Sequence, residues 1–486
     1  MKFLLHAKVD QLTIQERLGT PDYSYFFLLR AFSGVLSQLG EVIHLQYPEQ
    51  ADPIHAQCLD NGEACVLLSF APPHKTPLDL ECPTIPVFAW EYPDIPGRIE
   101  ENCWQGDPRH DWRQVLARTG RAITLSNHTV DAVKRSMGRD YPIVAIPSPL
   151  AIAQVSERSL PSPEDTLLRV HASVADSAKM GLNPNGLLCL EEEDGTPFDP
   201  GDDAALPGSL ACQNGNATDM PAPAAVPCAP DESEPAICGW DLPAAAQIRM
   251  RLRGVVYTSV LTPSAGRKNW EDLLTAFCWA FRDTADATLI LKLAGTELTF
   301  HHHQLLMLLS KLSPFRCRVI AINGYLSDQD YAALLDATNY YVNASLCEGL
   351  CLPLMEFLAA GVPAIAPDNT AMADYIQDDL AFVVASYPGL PKPWPHGDNE
   401  SHRTSCHQLD WHSLMQAYRQ SHQIAMHDPG RYRQMSRRAR EAMLAYCGED
   451  AVKSQLRGFL CPWLPTQERS GTSAPSVLKK PTPIES

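Results

Sequence analysis

Short apolar runs alternate with helical stretches along most of this chain, in two separate blocks, and that alternation restricts the fold more than any other feature. In the first block, Phe3–Ala7, Val42–Leu45, Cys65–Phe70, Ile85–Trp90, Ala122–Leu125 and Ile143–Ile146 read as buried strands. A helix is expected over Tyr23–Leu39, closed by Gly40. In the second block the strands are Val255–Val260, Ala287–Leu293, Cys317–Ile322, Tyr340–Asn343 and Pro363–Ala366. The intervening helices are Trp270–Phe281, His303–Leu312, Asp328–Ala337 and Pro353–Ala360, with Trp411–Met426 and Asp428–Tyr446 beyond them. Strands that alternate with helices form parallel βαβ units. The fold class is therefore α/β, with two Rossmann-like domains.

Between the blocks the character changes. No lysine or arginine occurs between Lys179 and Arg249, while twelve acidic residues do, among them Glu191–Asp194. They supply two-thirds of the chain's net charge of −18. Such a stretch has too little apolar surface to offset its ordering entropy. The expected organisation is an N-terminal domain to 150, a largely disordered acidic insertion over 151–250, and a C-terminal domain over 251–445. A terminal helix and crossover follow over 446–470, and a Pro/Ser/Thr-rich disordered tail over 471–486.

The negative charge argues against nucleic acid as a partner, because phosphates need a basic surface. No apolar run approaches the ~20 residues of a membrane-spanning helix. Phe3–Leu5 is too short for the core of a secretory signal. The expected location is cytoplasmic, and the 15 cysteines read as reduced thiols. None are spaced Cys-x-x-Cys, and no metal is expected.

Two domains separated by a linker put a cleft between them, and in open parallel sheets ligands lie beyond the carboxyl ends of the strands. The most informative loop follows the strand Tyr340–Asn343. It reads Glu348-Gly349-Leu350-Cys351-Leu352-Pro353-Leu354-Met355-Glu356 and continues to Ala360-Gly361-Val362-Pro363. Pro353 suits a first helical turn and Gly361 a helix end. The amides of Gly349–Leu352 have no intrahelical partner and form a site for phosphate. Gly349 lets the backbone approach a ligand closely. A carboxylate at Glu356 can accept hydrogen bonds from both hydroxyls of a ribose.

This loop resembles the Glu-x7-Glu hallmark of the family-4 retaining glycosyltransferases of the GT-B fold (glycosyl transferases group 1). Gly324–Leu335 resembles the segment that precedes that loop in the family, and Gly266–Leu274 its phosphate-contacting loop. The likeness covers most of 254–385 and more loosely 1–150. It implies a transferase that moves a sugar from a nucleotide diphosphate to a hydroxyl, with retention, in bacterial polysaccharide or cell-envelope glycan synthesis. The nucleotide sugar would be a co-substrate, with no cofactor and no metal. The acceptor would be a glycan or a lipid-linked molecule, reached by peripheral contact at the inner face of the membrane. Lys268 would neutralise the donor phosphates, and Glu348 would lie near the donor sugar. Glu356 would hold the ribose, and Gly349, Leu350, Cys351 and Leu352 would complete the donor site. The family's arginine falls at Pro263, so Arg267 is taken as its replacement. Where the family often has a histidine at the end of a strand, this chain has Trp90-Glu91, which are taken as acceptor-side residues. Glu91 either touches a sugar or caps a turn before Pro93. Gly19 alone represents the family's glycine-rich loop after the first strand. The alternative functions are a sugar-nucleotide-binding protein weakened as a catalyst, and a nucleotide-sugar epimerase or hydrolase.

Several other signals carry less. Asp328-Gln-Asp330 reads as a helix cap rather than a metal motif, since Ser327 precedes it. His301–His303 reads as a solvated helix start, and His110 and His128 as surface histidines. Cys347 and Cys351 flank the donor loop and read as packing elements, at a place where alkylation of a thiol would interfere. Arg437, Arg438 and Arg440 read as a solvated helix face rather than a membrane contact.

Overall fold

The computed structural model describes residues 1–9, 22–97, 107–150, 166–180, 247–295, 298–393 and 403–460. Gly19, the acidic centre 181–246 and the tail 471–486 lie outside the described residues. The N-terminal domain contains β1 (Lys2–Ala7), α1 (Tyr23–Leu36), β2 (Glu41–His44), α2 (Ala51–Asp60) and β3 (Cys65–Phe70). It continues through β4 (Thr84–Phe88), α3 (Trp112–Thr119), β5 (Ala122–Thr124), α4 (Asn127–Met137) and β6 (Ile143–Ala145). The strands form one parallel sheet in the order β2-β1-β3-β4-β5-β6. Every residue of β3 is buried, as helices on both faces require of a central parallel strand.

Within the stretch 151–250, residues 166–180 and 247–250 are described and carry regular structure. They form β7 (Thr166–His171), β8 (Ser173–Asp176) and β9 (Gln247–Leu252). Thr166–His171 alternates, with Leu168 and Val170 buried and Leu167 and Arg169 exposed. This period-2 pattern marks a strand with one covered face. β7 and β9 pair with each other, and β8 joins the sheet of the second domain.

That sheet is built from β10 (Val255–Leu261), β11 (Ala287–Leu293), β12 (Arg318–Asn323), β13 (Tyr340–Val342), β14 (Ala364–Ala366) and β15 (Ala381–Val383). Its helices are α5 (Trp270–Ala280), α6 (Leu298–Leu312), α7 (Asp328–Ala337) and α8 (Leu352–Ala359). The order is β15-β14-β13-β10-β11-β12-β8, parallel except for the antiparallel edge strand β8. Serine and aspartate start the helices as their chemistry favours: Ser327 caps α7, Ser126 caps α4 and Asp111 caps α3.

α9 (Trp411–His427) and α10 (Pro429–Cys447) cover the second domain, where Tyr418 and Tyr432 are fully buried. α11 (Glu449–Leu460) returns to the first. Lys453 reaches Gln38 at 2.8 Å, Arg121 lies over the Phe459 ring, and the Leu150 amide donates to the Cys447 carbonyl at 3.0 Å. Among the described residues no helix is long and apolar enough to cross a membrane.

Gly254 opens β10 with φ +63°, and a Cβ there would lie 1.8 Å from the Asp286 carbonyl oxygen. We expect Gly254→Ala to cost at least about 2 kcal/mol in urea denaturation, because strained φ and backbone overlap act together.

Candidate active site

The strand order reverses at β10, which has β11 on one side and β13 on the other. Loops leaving the carboxyl ends of β10 and β13 therefore emerge side by side, at the switch point where open α/β sheets hold ligands. The β10 loop carries Arg267 and Lys268 on a single 3₁₀ turn, Gly266–Lys268. The β13 loop carries Glu348. The two are stitched together by the Leu346 amide, which donates to the Arg267 carbonyl at 2.7 Å.

Glu348 is 3% exposed and surrounded by donors. Lys268 Nζ and Ser345 Oγ donate to Oε1, and Arg267 donates to Oε2 at 2.9 Å. Burial alone would raise this carboxyl, but Lys268 and Arg267 outweigh it and hold the pKa at about 2. The backbone is fixed at both ends. The Glu348 amide donates to Thr370 Oγ1 at 2.9 Å, and the Ala371 amide donates to the Glu348 carbonyl.

Arg267 also reaches across the cleft. Its Nε lies 3.0 Å from Glu91 Oε1 in the first domain. Burial would lower the guanidinium pKa, but Glu348 and Glu91 raise it. Glu91 thus joins the cluster by bridging the domains. Trp90 does not: its indole packs on Tyr92 and Trp112, and its N–H donates to the Asp94 carbonyl at 2.8 Å. The acceptor-side reading of Trp90 is therefore corrected to a core role.

Gly349 lies close against the first domain. A Cβ would meet Ala89 Cβ and the Trp90 nitrogen, each at 3.0 Å. The close approach read from the sequence as one to a ligand is made to the backbone after β4. Cys351, the residue before α8, adopts a left-handed conformation with φ +68°. That turns the chain from loop into helix. Among the described residues, no partner takes the amides of Gly349, Leu350, Cys351 or Leu352.

Glu356 lies apart from the cluster, on α8. It accepts a hydrogen bond from Tyr331 Oη at 2.7 Å, and burial raises its pKa to about 7. Arg30 and Asp328 act on its charge. A second interdomain contact lies at the start of α4, where the Asn127 amide donates to Asp374 at 2.8 Å.

Ser345, Thr370, Tyr331 and Asp374 were not singled out from sequence. Ser345 stands in the donor-loop stretch, but Thr370 has no local signal, since its role depends on a turn that only the fold brings to Glu348. His128 is half-buried, with Nε2 3.2 Å from the Glu91 carbonyl, so it borders the cleft rather than the outer surface. His302 is buried within α6, not at a solvated helix start. Cys347 lies with its sulfur 3.4 Å from that of Cys406. The Cys406 contact and burial raise the Cys347 pKa, and burial pushes Cys351 up to about 12. Both are protonated at neutral pH and sluggish toward alkylation. Arg438 pairs with Asp379 and Glu441, and Arg440 donates to the Ala360 carbonyl.

A carboxyl whose pKa is depressed on folding stabilises the fold above its unfolded pKa and loses that contribution as pH falls through the folded one. Glu348→Gln should therefore cost roughly 3 kcal/mol at neutral pH, shrinking as pH falls from 4.5 toward 2. Chemical denaturation of both proteins across that range measures it.

Among solved structures, the chain is similar to the pneumococcal O-GlcNAc transferase GtfA, determined with UDP and GlcNAc (10% identity, TM-score 0.41). That likeness covers 85% of this chain and 60% of the other. It is also similar to HepE of Anabaena, determined with UDP and glucose, at 12% identity and TM-score 0.45 over 95% of this chain and 99% of the other. A third is sucrose-phosphate synthase from Thermosynechococcus elongatus, at 12% identity and TM-score 0.47 over 95% and 98%. The chain thus spans about 60% of the length of GtfA. No curated protein matches it. Residues 253–389, which hold Arg267, Lys268, Glu348 and Glu356, match the family model described as Glycosyl transferases group 1.

Proposed function

We propose that this protein is a retaining glycosyltransferase that moves a sugar from a nucleotide diphosphate to a hydroxyl acceptor. The carrying observation is the convergence of Lys268, Arg267 and Glu348 beside the open amides of Gly349–Leu352. Breaking a sugar–diphosphate bond builds negative charge on the departing phosphates. Cations and N–H dipoles already in place stabilise that charge with little reorganisation. Lys268 and Arg267 supply the cations and the loop supplies the dipoles. Glu348 keeps both cations aligned and presents a carboxylate toward the developing oxocarbenium centre. No protein nucleophile is needed, because the leaving phosphate takes the acceptor proton as attack occurs on the same face. No metal is needed either, since the two cations fill its role.

The interdomain contacts favour water exclusion. Gly349 against Ala89, and Arg267 against Glu91, close the cleft around the reacting bond and so suppress hydrolysis. Glu356 is suited to a ribose diol: a carboxylate raised by burial gains from two hydroxyl donors. In cells we place the reaction in bacterial polysaccharide or envelope glycan assembly in the cytoplasm, at the inner membrane face when the acceptor is lipid-linked.

Incubation with a panel of nucleotide sugars and hydroxyl acceptors tests this reading. Nucleotide diphosphate released only when acceptor is present, with a product of retained configuration, supports it. Donor change or hydrolysis without acceptor would point to an epimerase or hydrolase, and binding without turnover to a weakened binding protein. Lys268→Ala should lower turnover by about 10²–10³-fold. Binding of a nucleotide diphosphate requires ionised Glu356, so affinity should rise about tenfold from pH 6 to pH 8. Glu356→Gln should remove that component from the calorimetric pH profile.

A further inference from the structure

We propose a structural zinc site in the N-terminal domain, formed by His55, Cys65 and Cys82 with Cys58 beside them. Three separate segments bring these side chains together. His55 and Cys58 lie on α2, one helical turn apart. Cys65 is the first residue of β3, and Cys82 precedes β4 by two residues. One donor atom from each of His55, Cys65 and Cys82 lies within 4.8 Å of the other two. The Cys58 thiol is within hydrogen-bonding reach of Cys65, and Cys65 within reach of Cys82.

The surroundings match a metal site better than simple packing. The three thiols are almost fully buried among Leu4, Leu45, Ala51 and Leu67. His55 Nδ1 is buried without a hydrogen-bond partner. An imidazole nitrogen left in that state costs free energy that a metal bond would recover. The Cys82 amide donates to Asp52 Oδ1 at 2.9 Å, which fixes the segment that presents the thiol. Zn–S bonds of about 2.3 Å and Zn–N bonds of about 2.0 Å place tetrahedral donors roughly 3.5 Å apart, so the side chains need only a small inward shift.

Thiols with one imidazole select zinc over magnesium or calcium, which take oxygen ligands. On binding, Cys65 and Cys82 each release a proton to solvent and ligate as thiolates. Their two negative charges cancel the 2+ of the ion, while His55 ligates as neutral imidazole. Cys58 adds the fourth donor as a third thiolate, releasing its own proton and leaving the site with one net negative charge, and Lys2 lies close enough to interact with both Cys58 and Cys65. The site lies at the amino ends of the strands. The candidate active site lies past the carboxyl end of β4, so the ion would tie α2 to the β3 and β4 entries and take no part in catalysis.

The test uses the full chain without a histidine tag, depleted by chelator and then titrated with Zn²⁺ or Co²⁺. We expect one equivalent of zinc per chain, thiolate-to-metal charge-transfer absorption with Co²⁺, and a higher Tm with zinc than without. Cys65→Ser with Cys82→Ser should abolish all three, and His55→Gln should weaken binding by at least about tenfold. If the double variant fails to fold, the Co²⁺ spectrum of His55→Gln decides. Replacing His301 and His303 by alanine should change nothing. The proposal is overturned if metal binds substoichiometrically, if the Cys65/Cys82 variant keeps it, or if those cysteines form a disulfide in the isolated protein.

Discussion

A buried carboxylate held by two cations organises this structure. Glu348 is removed from water, and an ionised carboxylate there is sustained only by charges and donors that are themselves fixed. Lys268, Arg267 and Ser345 meet that condition. Arg267 carries the constraint further, since its other edge pairs with Glu91 of the opposite domain. One guanidinium therefore couples the electrostatics of the β13 loop to the approach of the two domains. Any ligand that takes Arg267 must replace a carboxylate on each side of the cleft.

Topology explains why these residues meet although about eighty positions separate Lys268 from Glu348. β10 and β13 are neighbours with a parallel register, Tyr257 opposite Tyr340. Their following loops leave from the same edge of the sheet, with β10 running two residues further than β13. Two further devices then fix geometry that the strands leave open. The left-handed Cys351 sets the direction of α8, and Thr370, itself at φ +49°, presents its hydroxyl to the Glu348 amide.

Much of this was legible in the residues. Cys65–Phe70, Ala287–Leu293 and Asp328–Ala337 have the boundaries their apolar pattern implied, because each is a buried strand or a well-capped helix. The carboxylate spacing and the adjacent Arg267-Lys268 pointed to the two loops that the structure brings together at Glu348. What escaped depends on long-range placement. β7 was hidden because Arg169 and His171 make its exposed face look like linker. Trp90 looked available because a strand end usually opens to solvent, yet Trp112 and Tyr92 enclose it. The thiols of α2, β3 and the β4 entry share no sequence spacing, and only the sheet register assembles them.

The route of the last helix has a mechanical meaning. The polypeptide passes between the lobes near Leu150 and again at Cys447–Gly448, and these two passages are bonded side by side. A pair of tethers at a single locus leaves one easy degree of freedom, a swing about that point. Arg267–Glu91 then acts as a latch across the cleft, undone by rotation that leaves the pivot intact, whereas Asn127–Asp374 lies beside the pivot, where Tyr375 packs on Tyr446.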